Sequence, residues 1–144
     1  MKIGIIGAME VEVKELISSM EDIKKETISG IDFYEGILQG KSAVVAECGV
    51  GKVHAAVCTQ TMILKYAPDI IINTGVAGSL SPELDIADIV ISDGVVQHDF
   101  DVSSFGKPVG LISGIELIKI PCKEELVNKL KDAAEALEDT NVAV

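Results

Sequence analysis

The order of apolar and polar residues along this chain predicts strands that alternate with helices. Short apolar runs bounded by turn residues are typical of buried strands. The run DIIIN contains three consecutive isoleucines, as expected of a strand covered on both faces. The predicted strands are residues 3–6, 31–38, 42–47, 69–73 and 88–92. The short link Gln39-Gly40-Lys41 between the second and third of them predicts a hairpin.

Apolar residues spaced three and four positions apart predict three helices, over residues 9–20, 52–66 and 123–138. Pro68 follows the second helix, where its ring cannot continue the hydrogen-bond ladder. One face of the first helix carries Val13, Leu16, Ile17 and Met20. One face of the third carries Leu126, Val127, Leu130, Ala134 and Leu137. This alternation predicts an α/β fold, a three-layer α/β/α sandwich with a central mixed sheet, in one domain over residues 1–144.

Two stretches do not fit this alternation. Residues 95–112 form a long irregular segment, which indicates a functional loop or an interface arm. At the end of the chain, Val142-Ala143-Val144 follows polar turn residues and predicts the start of another strand. We therefore expect the natural domain to continue past Val144, with a short edge strand at a true terminus as the alternative.

Composition and charge narrow the class of protein. A chain of 144 residues, 48% of them hydrophobic, can form a core. The formal net charge of −11 and the lack of Trp argue against nucleic acid or an anionic membrane as a partner. No apolar run reaches the roughly 18 residues of a membrane span, so we expect a soluble protein in the cytoplasm.

The three cysteines, Cys48, Cys58 and Cys122, are scattered and odd in number. They form no Cys-x-x-Cys pair, which argues against a disulfide framework or a zinc site and favours a reducing compartment. Cys48 and Cys58 fall in apolar patterns, so we expect both thiols to be buried and inert.

Glycines mark three points at which a predicted strand ends. The turns are Gly7-Ala8, Gly49-Val50-Gly51 and Gly75-Val76-Ala77-Gly78. Glycine lets a backbone amide approach a ligand closely, and open α/β sheets bind small molecules at the carboxyl ends of their strands. Ordinary strand-to-helix turns also use glycine, but three such turns favour a pocket built from converging strand ends. None matches a Walker A loop or the G-x-G-x-x-G dinucleotide motif.

Acidic side chains lie next to the first of these turns. Glu10 and Glu12 are two positions apart on a predicted helix, so they point in roughly opposite directions and only one can face a cleft. A carboxylate in such a cleft can take a proton from water. The other interpretation is that both acids only complement the positive end of the helix dipole.

The two histidines give weaker signals. His98, close to Asp99 and Asp101, lacks a standard metal-ligand spacing, so a structural or loop-ordering role is favoured over a metal site. His54, just inside the second predicted helix, is interpreted as a packing or surface residue.

Four blocks of the sequence resemble one known family. They are MKIGIIGAMEVEV, CGVGKVHAA, PDIIINTGVAGSL and HDFDVSSFG, in that order along the chain. Together they resemble the bacterial 5'-methylthioadenosine/S-adenosylhomocysteine nucleosidases, which belong to the wider purine nucleoside phosphorylase and uridine phosphorylase superfamily. The resemblance covers the N-terminal part of a family member, a little more than half of it.

The resemblance implies hydrolysis of the bond between adenine and C1' of the thioribose, a step of methionine salvage, without a metal or other cofactor. It implies that Glu12 positions and deprotonates the attacking water. The other residues that it implies for this chain's own substrate site are Ala8, Met9, Val50, Val76, Ala77 and Gly78. Family members are homodimers, and the resemblance implies that Val102 and Phe105 reach into the partner's site to cap the 5'-thio group.

Two departures from the family pattern change the expectation. Val76 stands where many members have Ser, so a hydroxyl contact is lost there. The later family segments, which hold the ribose hydroxyls and help protonate adenine, have no counterpart before Val144, as in a C-terminally truncated form of the fold. General acid help is worth about 10²- to 10⁴-fold, so we expect these residues alone to catalyse poorly or not at all. A phosphorolytic relative and a non-catalytic remnant that dimerises or binds nucleosides are the alternatives.

Overall fold

The computed structural model describes residues 1–137 and 141–144, which divide into two compact units, Met1–Gly78 and Ser79–Val144. The first unit contains β1 (Lys2–Gly7), α1 (Glu10–Ser18), β2 (Met20–Ile28), β3 (Ile31–Leu38), β4 (Lys41–Glu47), α2 (Lys52–Tyr66) and β5 (Ile70–Asn73). The second contains β6 (Ile89–Val90), β7 (Gly94–Val96), a 3-10 turn (Ser103–Phe105), β8 (Lys119–Pro121), α3 (Glu124–Glu135) and β9 (Val142–Ala143). No helix within the described ranges is long and apolar enough to cross a membrane.

The first unit is built on a mixed sheet. Its strand order is β2-β3-β4-β1-β5 in the described part of the chain. β1 pairs in parallel with both β4 and β5, whereas β2, β3 and β4 pair antiparallel in succession. At the end of β1, Gly7 lies opposite Glu47 and Ile6 lies opposite Asn73. The carboxyl ends of β4, β1 and β5 therefore meet at one edge of the sheet.

Alternate residues of the sheet face two different helices, as the period of two in a strand requires. Ile5 and Val45 share a buried cluster with Val13 of α1. Their neighbours Ile6 and Val44 belong to a second cluster with Met62 of α2. The first unit thus has α1 on one face of the sheet and α2 on the other, which confirms the predicted three-layer α/β arrangement with a mixed sheet.

Strand β2 was not predicted. The predicted helix over residues 9–20 ends at Ser18, and Met20 starts β2 instead of continuing α1. Most side chains of β2 are exposed, so the strand carries no alternating apolar pattern. Backbone pairing with β3 holds it in place, with Lys25 opposite Tyr34, while the Met20 side chain packs under α1. Tertiary pairing here overrides the local helical spacing.

The remaining predictions for the first unit agree closely with the structure. β3 and α2 have the predicted bounds, and β4 begins one residue early, at Lys41. The hairpin between β3 and β4 is confirmed, with positive φ values of 50° at Gln39 and 72° at Gly40. β5 differs, because its isoleucines are half-buried rather than buried. The cover predicted on both faces of β5 is therefore only partial among the described residues.

The second unit has less regular structure than predicted. The strand expected over residues 88–92 is reduced to Ile89–Val90, which pairs in parallel with Val142–Ala143. This pairing confirms the predicted strand at the end of the chain. Strand β7 and the 3-10 turn interrupt the irregular segment of residues 95–112.

Helix α3 of the second unit buries only part of its predicted apolar face. Val127 and Ala134 are buried, but Leu130 and Leu137 are exposed. The helix ends at Glu135, short of the predicted bound, with Ala136 and Leu137 already in a turn. Glu138 and the turn residues Asp139 and Thr140 lie outside the described residues. The prediction of one domain over residues 1–144 stays a prediction.

Candidate active site

Three turns of the first unit are tied together at the carboxyl edge of its sheet. The backbone N–H of Cys48 donates to the carbonyl oxygen of Gly7 at 2.8 Å, and the N–H of Thr74 donates to that of Ile6 at 2.9 Å. These two bonds extend the ladders of β1 beyond the last paired residues of β4 and β5. The turns that follow β1, β4 and β5 therefore lie side by side, as the glycine positions predicted.

The Glu12 side chain connects two of these turns. It is half-buried on the first turn of α1. Its Oε2 accepts hydrogen bonds from the backbone N–H groups of Ala8, at 2.7 Å, and Met9, at 2.9 Å. Its Oε1 accepts one from the N–H of Val76, at 2.9 Å. Glu12 thus satisfies two free amides at the start of its own helix and one amide of the turn after β5.

These hydrogen bonds set the charge state of Glu12. They lower the pKa of its carboxyl group below the usual value, with the Val76 bond as the largest cause, the Met9 bond next and the Ala8 bond smaller. Burial acts in the opposite direction and does not cancel the shift. Hydrogen bonds donated to the charged form favour that form, so Glu12 is an ionised carboxylate at neutral pH.

Two glycines allow the close packing around Glu12. A Cβ atom on Gly75 would overlap the Glu12 carboxylate. A Cβ atom on Gly7 would lie 2.6 Å from Cγ1 of Val13 and 3.2 Å from Cβ of Glu12. Glycine is needed at both positions because backbone and side chain come too near for any larger residue. The same two glycines had marked strand ends in the sequence.

The structure also separates the two acids of the first helical turn. Glu10 is exposed and lines a surface pocket with Lys14 and Tyr34, apart from the turn after β5. Of these two acids, Glu12 is the one that hydrogen-bonds to the turn after β5. The alternative that these acids only complement the helix dipole accounts for the contacts of Oε2 and leaves the bond from Val76 to Oε1 unexplained.

A thiol lies close to the Glu12 carboxylate. Cys48 is buried and donates from Sγ to the carbonyl oxygen of Gly49 at 3.2 Å. Burial raises the pKa of this thiol, and the negative charge of Glu12 raises it further. Burial also raises the pKa of Cys58, to about 11. Both thiols are buried as predicted and protonated at neutral pH, whereas Cys122 is exposed.

The other predicted site residues of the first unit lie on the same turns. Val50 and Val76 are 71% and 78% exposed, and Ala77 and Gly78 are exposed as well. Large exposed apolar side chains at the end of a sheet leave apolar surface available to a ligand. Their roles in binding stay a prediction.

Val102 and Phe105 belong to the second unit. Val102 is half-buried, and Phe105 ends the 3-10 turn with 83% of its surface exposed. In the same loop, Asp101 Oδ1 accepts a hydrogen bond from the N–H of Ser103 at 2.8 Å, and this bond lowers the pKa of Asp101. Asp101 thus helps to order this turn, whereas the role expected of His98 stays a prediction. Within the described residues, no group of three or more His, Cys, Asp or Glu side chains is placed to hold a metal ion.

His54 is exposed, as expected of a surface residue, and it also contacts a turn of the candidate site. Its ring Nδ1 lies 2.9 Å from the carbonyl oxygen of Val50, one of the predicted site residues. The four-residue spacing between them, at the start of a helix, is the signal that could have indicated this contact.

A mixed α/β sheet with helices on both faces, and a carboxylate held among glycine turns at its carboxyl edge, is typical of α/β proteins that bind small molecules. The family model described as the phosphorylase superfamily matches residues 2–144, and the chain belongs to this superfamily.

Three known proteins show how close the similarity is. The chain is 56% identical, over 110 residues, to the 5'-methylthioadenosine/S-adenosylhomocysteine nucleosidase of Shewanella halifaxensis, covering 76% of this chain and 48% of that protein. The crystal structure of the Neisseria meningitidis nucleosidase of the same name, in complex with methylthio-immucillin-A, matches with a TM-score of 0.94 and 37% identity, covering 99% of this chain and 61% of that one. The Colwellia psychrerythraea nucleosidase, in complex with adenine, matches with a TM-score of 0.94 and 35% identity, covering 99% and 59%. The chain thus spans about half the length of the curated relatives it matches.

Proposed function

We propose that this sequence carries the catalytic carboxylate of a nucleosidase that hydrolyses 5'-methylthioadenosine and S-adenosylhomocysteine to adenine and the thioribose product. The observation that carries the proposal is the Glu12 carboxylate, ionised and held by three backbone donors at the edge of the sheet. The relatives support the substrate class, since they bear this name and two of their structures contain adenine or methylthio-immucillin-A.

The hydrogen bonds of Glu12 leave a defined position for water. A carboxylate has about four acceptor positions, two on each oxygen. Oε2 uses both of its positions for Ala8 and Met9, and Oε1 uses one for Val76. The remaining position on Oε1 can accept a hydrogen bond from the attacking water. The water would then lie next to the exposed turn of residues 75–78.

The lowered pKa of Glu12 decides how this carboxylate acts. A weakly basic carboxylate does not remove a proton from water before the glycosidic bond breaks. It orients the water and accepts its proton as the sugar becomes an oxocarbenium-like ion, as carboxylates do in glycoside hydrolysis. In such a reaction, the bond between adenine and the sugar must already be largely broken when water attacks.

Further residues complete the proposal. Ala8, Met9, Val50, Val76, Ala77 and Gly78 would bind the nucleoside, with Val102 and Phe105 acting on the partner's site in a homodimer. Apolar side chains such as Phe105 suit a methylthio group, and backbone groups of the glycine turns suit ribose hydroxyls. We place the enzyme in the cytoplasm, where buried reduced thiols such as Cys48 persist.

Adenine release from 5'-methylthioadenosine tests the proposal. We expect slow release that does not depend on phosphate, and a loss of about 10²-fold or more in Glu12→Gln. Glu10→Gln is the matched control and should leave the rate unchanged, since Glu10 does not contact the glycine turns. Release that requires phosphate and forms ribose-1-phosphate products would instead indicate a phosphorolytic enzyme.

A second candidate is a non-catalytic role. In this alternative the chain binds adenine nucleosides, as the resemblance of its glycine turns to the nucleosidases suggests, but does not hydrolyse them. Calorimetric binding of 5'-methylthioadenosine without adenine release would support this alternative. Absence of both binding and release would contradict both candidates.

A further inference from the structure

The turn between β4 and α2 contains two glycines in an unusual backbone conformation. Gly49 and Gly51 have φ values of 84° and 108°, in the left-handed region that favours glycine. Val50 lies between them and is 71% exposed, so its side chain is held by few neighbours. Glycine on both sides gives this turn more conformational freedom than other residues would.

The His54 side chain, on the first turn of α2, restrains this backbone. Its Nδ1 lies 2.9 Å from the carbonyl oxygen of Val50. Since a carbonyl oxygen only accepts, Nδ1 carries the proton and donates it. The His54 ring also packs on Gly49: a Cβ atom on Gly49 would lie 3.1 Å from Nδ1 and 3.5 Å from Cγ of the ring. One side chain thus bonds to Val50 and covers Gly49.

Helix α2, which carries His54, is packed against the core of the first unit. Cys58 and Met62, one and two turns further along, have no exposed surface and belong to the core cluster beneath the sheet. Because α2 is packed against the core, the hydrogen bond from His54 holds the turn in a fixed position relative to this helix. Residues that hold site groups in place in this way contribute to binding without touching the ligand.

We propose that His54 is a positioning residue that fixes Val50 in the orientation the nucleoside site requires. The proposal rests on the proposed function, in which Val50 is one of the residues that bind the nucleoside. In this role His54 acts through Val50 and needs no contact of its own with the nucleoside. It acts by limiting the conformations of the turn, so that less ordering is needed when the ligand binds.

Two substitutions separate the hydrogen bond from the packing. His54→Leu keeps a side chain of similar size over Gly49 but removes the donor. His54→Asn keeps a donor at the place of Nδ1 with a smaller side chain. Gln60→Ala, on the exposed surface of the same helix, is the control for unrelated changes in α2.

Amide hydrogen exchange at Gly49 and Gly51 is measured first, since it needs no ligand. We expect faster exchange in His54→Leu and exchange close to wild type in His54→Asn and Gln60→Ala. Calorimetry with 5'-methylthioadenosine follows. We expect binding to weaken about three- to tenfold in His54→Leu, the size expected for one net hydrogen bond, and to recover in His54→Asn.

The results distinguish the two proposals. Unchanged exchange in His54→Leu would overturn the restraint itself. Faster exchange with unchanged affinity would overturn the positioning role and leave the proposed function standing. Absence of nucleoside binding by the wild-type chain would contradict the proposed function, while the exchange data would still decide whether His54 restrains the turn.

Discussion

The carboxylate of Glu12 accepts a hydrogen bond from the backbone N–H of Val76 at 2.9 Å, across 64 residues of sequence. The other oxygen of the same carboxylate accepts from Ala8 and Met9. Glu12 therefore joins the beginning of α1 to the turn after β5 and also serves as the proposed catalytic group. Its effects on structure and on activity have to be measured separately, and the following predictions do so.

Gly75→Ala should change the ionisation of Glu12. The new Cβ atom would overlap the carboxylate, so the turn must shift and the Val76 hydrogen bond is lost. Because that bond is the main cause of the lowered pKa, we expect the pKa of Glu12 to rise towards its usual value. A ¹³C NMR titration of the Glu12 carboxyl carbon measures this shift. Gly78→Ala is the control, since a Cβ atom there meets nothing within 4 Å; equal titration curves in both variants would contradict the prediction.

Glu12→Gln should destabilise the protein in a way that depends on pH. Gln presents an N–H donor to at least one of the backbone donors that Glu12 satisfies, so we expect a loss of about 1–3 kcal/mol in the free energy of unfolding near neutral pH. The folded-state pKa of Glu12 is lowered from 4.5, so its ionised form stabilises the fold.

This contribution is fully present above pH 4.5 and is lost as the pH falls through the lowered pKa. The difference in unfolding free energy between wild type and Glu12→Gln should shrink over that acidic range. Urea unfolding at several pH values measures it, with Glu10→Gln as the matched control. A difference that stays constant with pH would argue against charged hydrogen bonding by Glu12.

The three thiols should react at different rates. Cys122 is exposed, whereas Cys48 and Cys58 are buried with raised pKa values. The thiolate is the reactive form of cysteine. Iodoacetamide near pH 8 should therefore modify Cys122 rapidly, and Cys48 and Cys58 only after unfolding. Intact mass spectrometry counts the modifications, and Cys122→Ser should abolish the rapid one. Rapid modification of Cys48 would show that its surroundings open in solution.

Met62→Ala and Leu64→Ala test the core of the first unit. Met62 has no exposed surface, and its Sδ lies 2.5 Å from where a Cβ atom of Gly4 would be, so Met62 packs closely over this glycine of the sheet. We expect Met62→Ala to lower the free energy of unfolding by about 2–5 kcal/mol. Leu64, on the same helix, is 76% exposed. Leu64→Ala should therefore change the free energy of unfolding by less than about 0.5 kcal/mol. Similar losses in both variants would contradict the assignment of the α2 face.

Elements with a strong local signal were predicted almost to the residue. The bounds of α2 were predicted correctly because apolar spacing, Gly51 before the helix and Pro68 after it all indicate the same segment. The hairpin at Gln39-Gly40 was predicted because a short link between two β-rich runs leaves few alternatives. Strand β2 was missed because its exposed side chains follow no pattern, and only pairing with β3 defines it.

For the candidate site, the sequence by itself determined the ingredients: an acid after the first strand, glycines at three strand ends, and the family to which these blocks belong. It could not determine which acid meets which turn, because that depends on strand order. Placing β1 between β4 and β5 brought Val76 to Glu12 and left Glu10 apart. The contact of His54 with Val50 likewise depends on backbone angles at two glycines. Local patterns record which side chains are apolar or charged, whereas distances between remote residues are decided by how the sheet and helices pack.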